Sequence, residues 1–171
     1  MPYPEELLRH ASQLLQGEGR PVSDADIRRA VSAAYYALLH LLVEAATDLL
    51  CPEQPVGLRS RFRRAFDHSD MKAVCKQFEA GKKSNISPEM RPLFTERIEP
   101  ELLNIARAFR ELQTRRHQAD YVLDSPISAE EAELSVTTAA HTLLDWQAVR
   151  VTNNAKAFLT ALLLHRHWKR D

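Results

Sequence analysis

Asp26 to Leu50 reads DIRRAVSAAYYALLHLLVEAATDLL, and the spacing of its apolar residues decides the fold class. Ile27, Val31, Ala34, Leu38, Leu41, Ala45 and Leu49 recur every three or four positions, a pattern that marks one face of an α-helix and that the two-residue period of a strand cannot produce. Ser23 followed by Asp26 supplies a capping-box-like start, and Cys51-Pro52 ends the helix, because proline disfavours the helical conformation of the residue before it. Arg29, Tyr36 and His40 stand at i, i+7 and i+11, within about 20° of one line at roughly 100° per residue. A polar row therefore runs beside the apolar one.

Working outward, Leu7, Leu8, Ala11, Leu14 and Leu15 make one side of a short amphipathic helix from Glu5 to Gln16, ended by Gly17 and Gly19. Leu58, Phe62, Ala65 and Phe66, then Met71, Val74, Cys75 and Phe78, predict two short helices or one bent one. Gly81 to Pro92 has breakers and no periodicity and reads as a surface loop. Another helix is predicted from Pro100 to about Ala119, and a further one from Ser128, where Ser128 and Glu131 form a capping box after Pro126. From Ala129 to Lys169 there is neither proline nor glycine, and Leu144, Ala148, Val151, Ala155, Phe158 and Leu162 keep helical phase. One helix of about 40 residues, roughly 60 Å long, is one reading; a break at Asn153-Asn154 is the other. A helix of that length outruns the bundle and leaves Phe158, Leu159, Leu162, Leu163, Leu164 and Trp168 exposed in a monomer, so a homodimer is expected. The fold class is all-α: an up-and-down bundle of about five helices in a single domain, residues 1–171, with a core of about 4–146 and a helical extension over 147–171.

Composition narrows the function classes. The 171 residues carry 23 basic and 23 acidic side chains, so the net charge gives no global attraction to nucleic acid or to a membrane surface. The two cysteines, Cys51 and Cys75, lack C-x-x-C spacing, and His141, His165 and His167 have no ligand spacing with acidic residues; no metal site and no cofactor are expected. The N-terminus lacks a basic-then-apolar leader and no apolar run approaches about 18 residues, so the expectation is a cytoplasmic protein with no membrane partner.

Charged residues break this even pattern at two places. In the helix beginning at Pro100 the inward series Leu102, Ile105, Phe109, Leu112 continues in phase to Arg116 and Ala119. An arginine there must be paired or face a crevice, since an unpaired buried charge is very costly. Asp120, four residues on, is the nearest counter-ion. Arg116 is therefore half of a structural ion pair, or it lines a cleft and binds phosphate. Arg115, Arg116, His117 and Tyr121 place guanidinium, imidazole and phenol at one helix end, groups suited to a phosphodiester. Tyr36 and His40 either hydrogen-bond within the core or reach toward that end. The second place is Leu58 to Lys83, where eight cations, Arg63 and Arg64 among them, face three anions; His68 lies within this segment. Such a run makes a solvated face or a local positive field for nucleic acid.

RRAVSAAYYALLHLL (Arg28 to Leu42), FDHSDMKAVCKQF (Phe66 to Phe78) and RRHQADY (Arg115 to Tyr121) together resemble the HEPN domain family, in its subgroup with an R-x-x-A-D-Y motif. The likeness spans roughly Pro4 to Trp146. It implies a bundle of four to five helices that dimerises with its arginine-bearing helix ends facing across a cleft. It also implies RNA or nucleotide as ligand, and a place in a toxin–antitoxin or defence system beside a nucleotidyltransferase partner. Many relatives are metal-independent endoribonucleases with an arginine followed after four to six residues by a histidine. Here the arginine slot is Arg116, with His117 and Tyr121 as the groups beside it, while the histidine slot holds Tyr121, Val122 or Leu123. The alternative implied by that departure is a non-catalytic HEPN interaction module, antitoxin-like, that holds a nucleotidyltransferase or another effector.

Overall fold

Ser23 and Asp26 cap the central helix reciprocally: the Asp26 carboxylate accepts from the Ser23 backbone N–H (2.9 Å) and hydroxyl (2.6 Å), and the Asp26 N–H donates to Ser23 Oγ at 3.2 Å. The structure, a computed structural model, describes residues 2–95 and 97–168. Among them are seven α-helices and no strand: α1 (Tyr3–Gln16), α2 (Asp24–Leu50), α3 (Val56–Arg63), α4 (His68–Phe78), α5 (Pro100–Tyr121), α6 (Ala129–Val149) and α7 (Asn153–Trp168). The all-α bundle is thus observed. By contact the chain divides into two units, Met1–Leu41 with Ala108–Leu144, and Leu42–Arg107 with Asp145–Asp171.

In the first unit small residues set how closely helices approach. Ala11, Ala30, Val31, Ala119 and Ala132 form a buried cluster flanked by Leu14, Leu15, Ile27 and Val136, and their short side chains bring α1, α2, α5 and α6 together. Tyr35 is fully buried, its ring 5.6 Å from that of Phe109. Gly17 ends α1 in the left-handed region at φ 73°, its N–H donating to Leu14 O, and a Cβ there would meet Val22 Cγ2 at 3.3 Å. The Ser128–Glu131 capping box forms at the start of α6, with Ser128 N–H donating to Glu131 Oε2 at 2.8 Å and Glu131 N–H to Ser128 Oγ at 3.2 Å.

In the second unit α3 and α4 are separate helices. Asp67 caps α4 by accepting from the N–H groups of Ser69 and Asp70. The Ser69 hydroxyl, which also donates to this carboxylate, and then the Asp70 N–H hold the Asp67 carboxyl below the usual carboxylate range. The predicted surface loop around residues 81–92 is anchored, because Ile86 and Met90 are buried. Phe78 packs edge-on against Phe94 (5.2 Å) and Phe158 (5.1 Å).

The single 40-residue C-terminal helix does not form. The chain turns over residues 150–152, and Thr152 Oγ1 accepts from Ala155 N–H at 3.1 Å to start α7. The phase argument fails on particular residues: Leu144 and Val151, assigned to the interior, are 69% and 72% exposed, while Trp146 and Val149 are buried. The apolar end is covered as well. Phe158, Leu159, Ala161 and Leu162 are buried in the second unit, and α7 packs on α4. The exposed helix end from which a dimer was expected is therefore absent.

Along α2 the buried set beyond Leu38 is Leu39, Leu42, Val43, Ala46 and Thr47, shifted from the predicted Leu41, Ala45 and Leu49. This helix is also long and apolar enough to cross a membrane, with a mean hydropathy of 1.3 over a window of 18 residues, contrary to the expectation of no such run. However, 72% of that window is buried inside the fold, the pattern of a core helix.

Candidate functional site

The C-terminal turns of α5 and the first half of α2 build the site within the first unit. Arg116 keeps the inward phase set by Leu112 and Ala119, both buried, but its side chain retains 20% exposure. Its Nε lies 2.6 Å from Asp120 Oδ2, an i,i+4 ion pair. One terminal nitrogen, Nη2, donates to the Tyr36 hydroxyl at 3.0 Å and to the Tyr121 hydroxyl at 3.3 Å. The guanidinium carbon lies 5.5 Å from the Tyr36 ring centre and 5.2 Å from that of Tyr121. Burial works against the charge, yet Tyr36, Asp120 and Tyr121 more than offset it and raise the Arg116 pKa. Asp120 is held in turn by the Ser32 hydroxyl, which donates to its Oδ1.

Arg28 fixes the chain beyond α5. Its Nη1 donates to Ala119 O (3.2 Å) and Val122 O (3.4 Å), its Nη2 to Leu123 O (3.2 Å) and Ser125 O (2.9 Å), and its Nε to Asp24 Oδ2 (2.6 Å). Ala119 O is one of the carbonyls that a helix end leaves without an intrahelical partner, and the other three belong to the segment that follows α5. By holding them, Arg28 sets where Asp120 and Tyr121 stand. Between α2 and the end of α5 lies an open groove of about 490 Å³, lined by Arg28, Arg29, Ser32, Tyr36, Asp120 and Tyr121, among others. Arg29 is exposed and makes no ion pair or hydrogen bond among the described residues.

The expected site residues divide. Arg116, Asp120 and Tyr121 come together, and of the two readings open for Tyr36 the structure shows the one in which it reaches that helix end. His117 is exposed, its ring 5.2 Å from that of Tyr121. Arg115 does not join them: it donates to Glu111 and to Ser135 Oγ (3.2 Å) and lines a separate cleft of about 140 Å³ with Gln118, Ile127 and Glu131. Adjacent helical residues diverge by about 100°, which sends Arg115 toward α6. His40 packs against Tyr3 at 4.9 Å and stands 6.4 Å from Tyr36, ring to ring. Arg63, Arg64 and His68 belong to the second unit and are exposed. Among the described residues no group of three or more His, Cys, Asp or Glu is arranged to hold a metal ion.

Two residues of the site went unmarked in the sequence, Arg28 and Ser32. The signal for Arg28 was its i+4 spacing from Asp24; Ser32 had none, because its partner is 88 positions away. Comparisons with known protein families, characterised proteins and solved structures find no match to this chain.

Proposed function

We propose that this chain is a HEPN-type homodimer that binds RNA or a nucleotide in the groove between α2 and the end of α5. The observation that carries the reading is the meeting of Arg29, Tyr36, Asp120 and Tyr121 around one open groove. Cationic side chains neutralise phosphate, an exposed phenol ring offers a stacking surface for a base, and a carboxylate accepts from base or ribose. On this reading Arg116 holds both tyrosines in place, and His117, its ring 5.2 Å from that of Tyr121, supplies the imidazole for proton transfer in a metal-independent cleavage. The test is incubation of purified protein with labelled single-stranded RNA in the presence of a chelator. Retention of the RNA supports binding, cleavage that His117→Ala abolishes supports the ribonuclease, and the absence of both overturns the proposal.

A second reading is favoured by one observation. Tyr121, Val122 and Leu123, consecutive at the groove's edge, are 62%, 39% and 72% exposed. An apolar run of this kind suits a protein surface, and the chain then serves as a non-catalytic module for a nucleotidyltransferase or another effector. Co-purification of a stoichiometric partner that Leu123→Asp releases, with RNA left unbound, decides for it.

A further inference from the structure

We infer that Arg29, and not Arg116, is the side chain that takes a phosphate of the bound strand, with Tyr121 as the platform for a neighbouring base. The inference rests on the RNA-binding reading above and assigns its ligand contacts.

The groove's charges decide between the two arginines. Arg116 already has a carboxylate at 2.6 Å and two phenol oxygens, so its charge is largely compensated before any phosphate arrives. Arg28 is committed to Asp24 and to four carbonyls, and withdrawing it would release the segment that shapes the groove. Arg29 has no such commitment: it is exposed, lines the groove and has no counter-ion among the described residues. A phosphate bound there replaces water and small ions only, and their release is the favourable part of binding a polyanion. Tyr36 lies seven residues further along α2, about 10 Å along the axis, and Tyr121 meets the same guanidinium that Tyr36 does. The groove thus offers a cation at one end and an aromatic face at the other, with Tyr121 62% exposed.

The test uses the full chain and a fluorescein-labelled ten-nucleotide single-stranded RNA of mixed sequence, titrated by anisotropy between about 50 and 200 mM salt. Arg29→Gln is expected to weaken binding about tenfold and to lower the slope of log affinity against log salt by about 0.7, the amount for one phosphate contact on a single strand. Tyr121→Leu is expected to weaken binding at least fivefold with the slope unchanged. Arg150→Gln, which removes an exposed charge of the second unit, controls for net charge and is expected to change neither. Thermal melting checks that the variants remain folded. A wild-type slope for Arg29→Gln, or an equal drop for Arg150→Gln, overturns the assignment of Arg29. Failure of the wild-type chain to bind the RNA instead overturns the reading of the groove, and the assignment with it.

Discussion

The Arg116 guanidinium on α5 donates to the Tyr36 hydroxyl on α2 at 3.0 Å, across 80 positions of sequence. That bond joins the two helices that carry every residue of the groove, and it makes Arg116 a structural member of the site before any ligand arrives. Arg116→Ala is therefore expected to lower the free energy of unfolding by about 1–2 kcal/mol, since it leaves a half-buried carboxylate and two phenols without their shared donor. Urea denaturation measures this. Arg116→Lys is expected to recover less than half, because a single ammonium cannot meet the carboxylate and both phenols in the guanidinium's planar geometry.

Arg28→Ala is expected to cost more, about 2–4 kcal/mol, as four carbonyls lose a charged donor at once. Hydrogen exchange distinguishes this from a general loss of stability. Protection should fall first at residues 119–125, with α1 retaining its protection to higher denaturant.

Asp26 gives a pH signature. The Arg20 side chain, then the Ser23 hydroxyl and N–H, hold its carboxyl well below the usual carboxylate range. A carboxyl depressed in the folded state contributes stability that is fully present above its unfolded pKa of about 3.9 and is lost as pH falls toward the folded value. Asp26→Asn is accordingly expected to melt at a lower temperature than wild type at pH 6, with the gap closing progressively below about pH 4. A gap that stays constant down to pH 2 would show that the capping bonds do not depend on the charge.

Phe158→Ala is expected to cost about 3–5 kcal/mol, because the ring is fully buried and packed edge-on against Phe78 at 5.1 Å. Leu144→Ala, at a position 69% exposed, should change stability by less than about 0.5 kcal/mol. A continuous helix outrunning the bundle would instead put Leu144 on the inward row and leave Phe158 exposed in a monomer, the opposite order of costs. Chemical denaturation of the pair therefore checks the turn at residues 150–152.

What the sequence disclosed follows the range of the forces involved. Local signals were legible: the Ser23–Asp26 and Ser128–Glu131 boxes, the stop at Cys51-Pro52 and the inward phase of Arg116 all rest on residues within a few positions of one another. The Arg116–Asp120 pair was legible for the same reason. Contacts set by tertiary packing were not. Nothing near Ser32 announces Asp120, and nothing near Arg115 announces its partner Ser135 on α6, 20 positions on. For the last segment two readings stood open, because a run without proline or glycine permits a continuous helix but does not require one, and the chain takes the break, just before Asn153. Thr152 caps the new start with its hydroxyl, and Asn154, in the first turn of α7, bonds through its amide to Thr95 Oγ1, Arg97 O and Glu99 Oε2.

The hold of Arg28 on the carbonyls of Leu123 and Ser125 bears on how this molecule can be engineered. The link between α5 and α6 has the look of a convenient place to splice in a tag, a fluorophore or a cleavage sequence, being short, superficial and rich in turn formers. Yet its backbone is moored to a residue nearly a hundred positions upstream, so cargo inserted there would disturb the groove at a distance. A splice in the turn at residues 150–152 leaves that mooring intact.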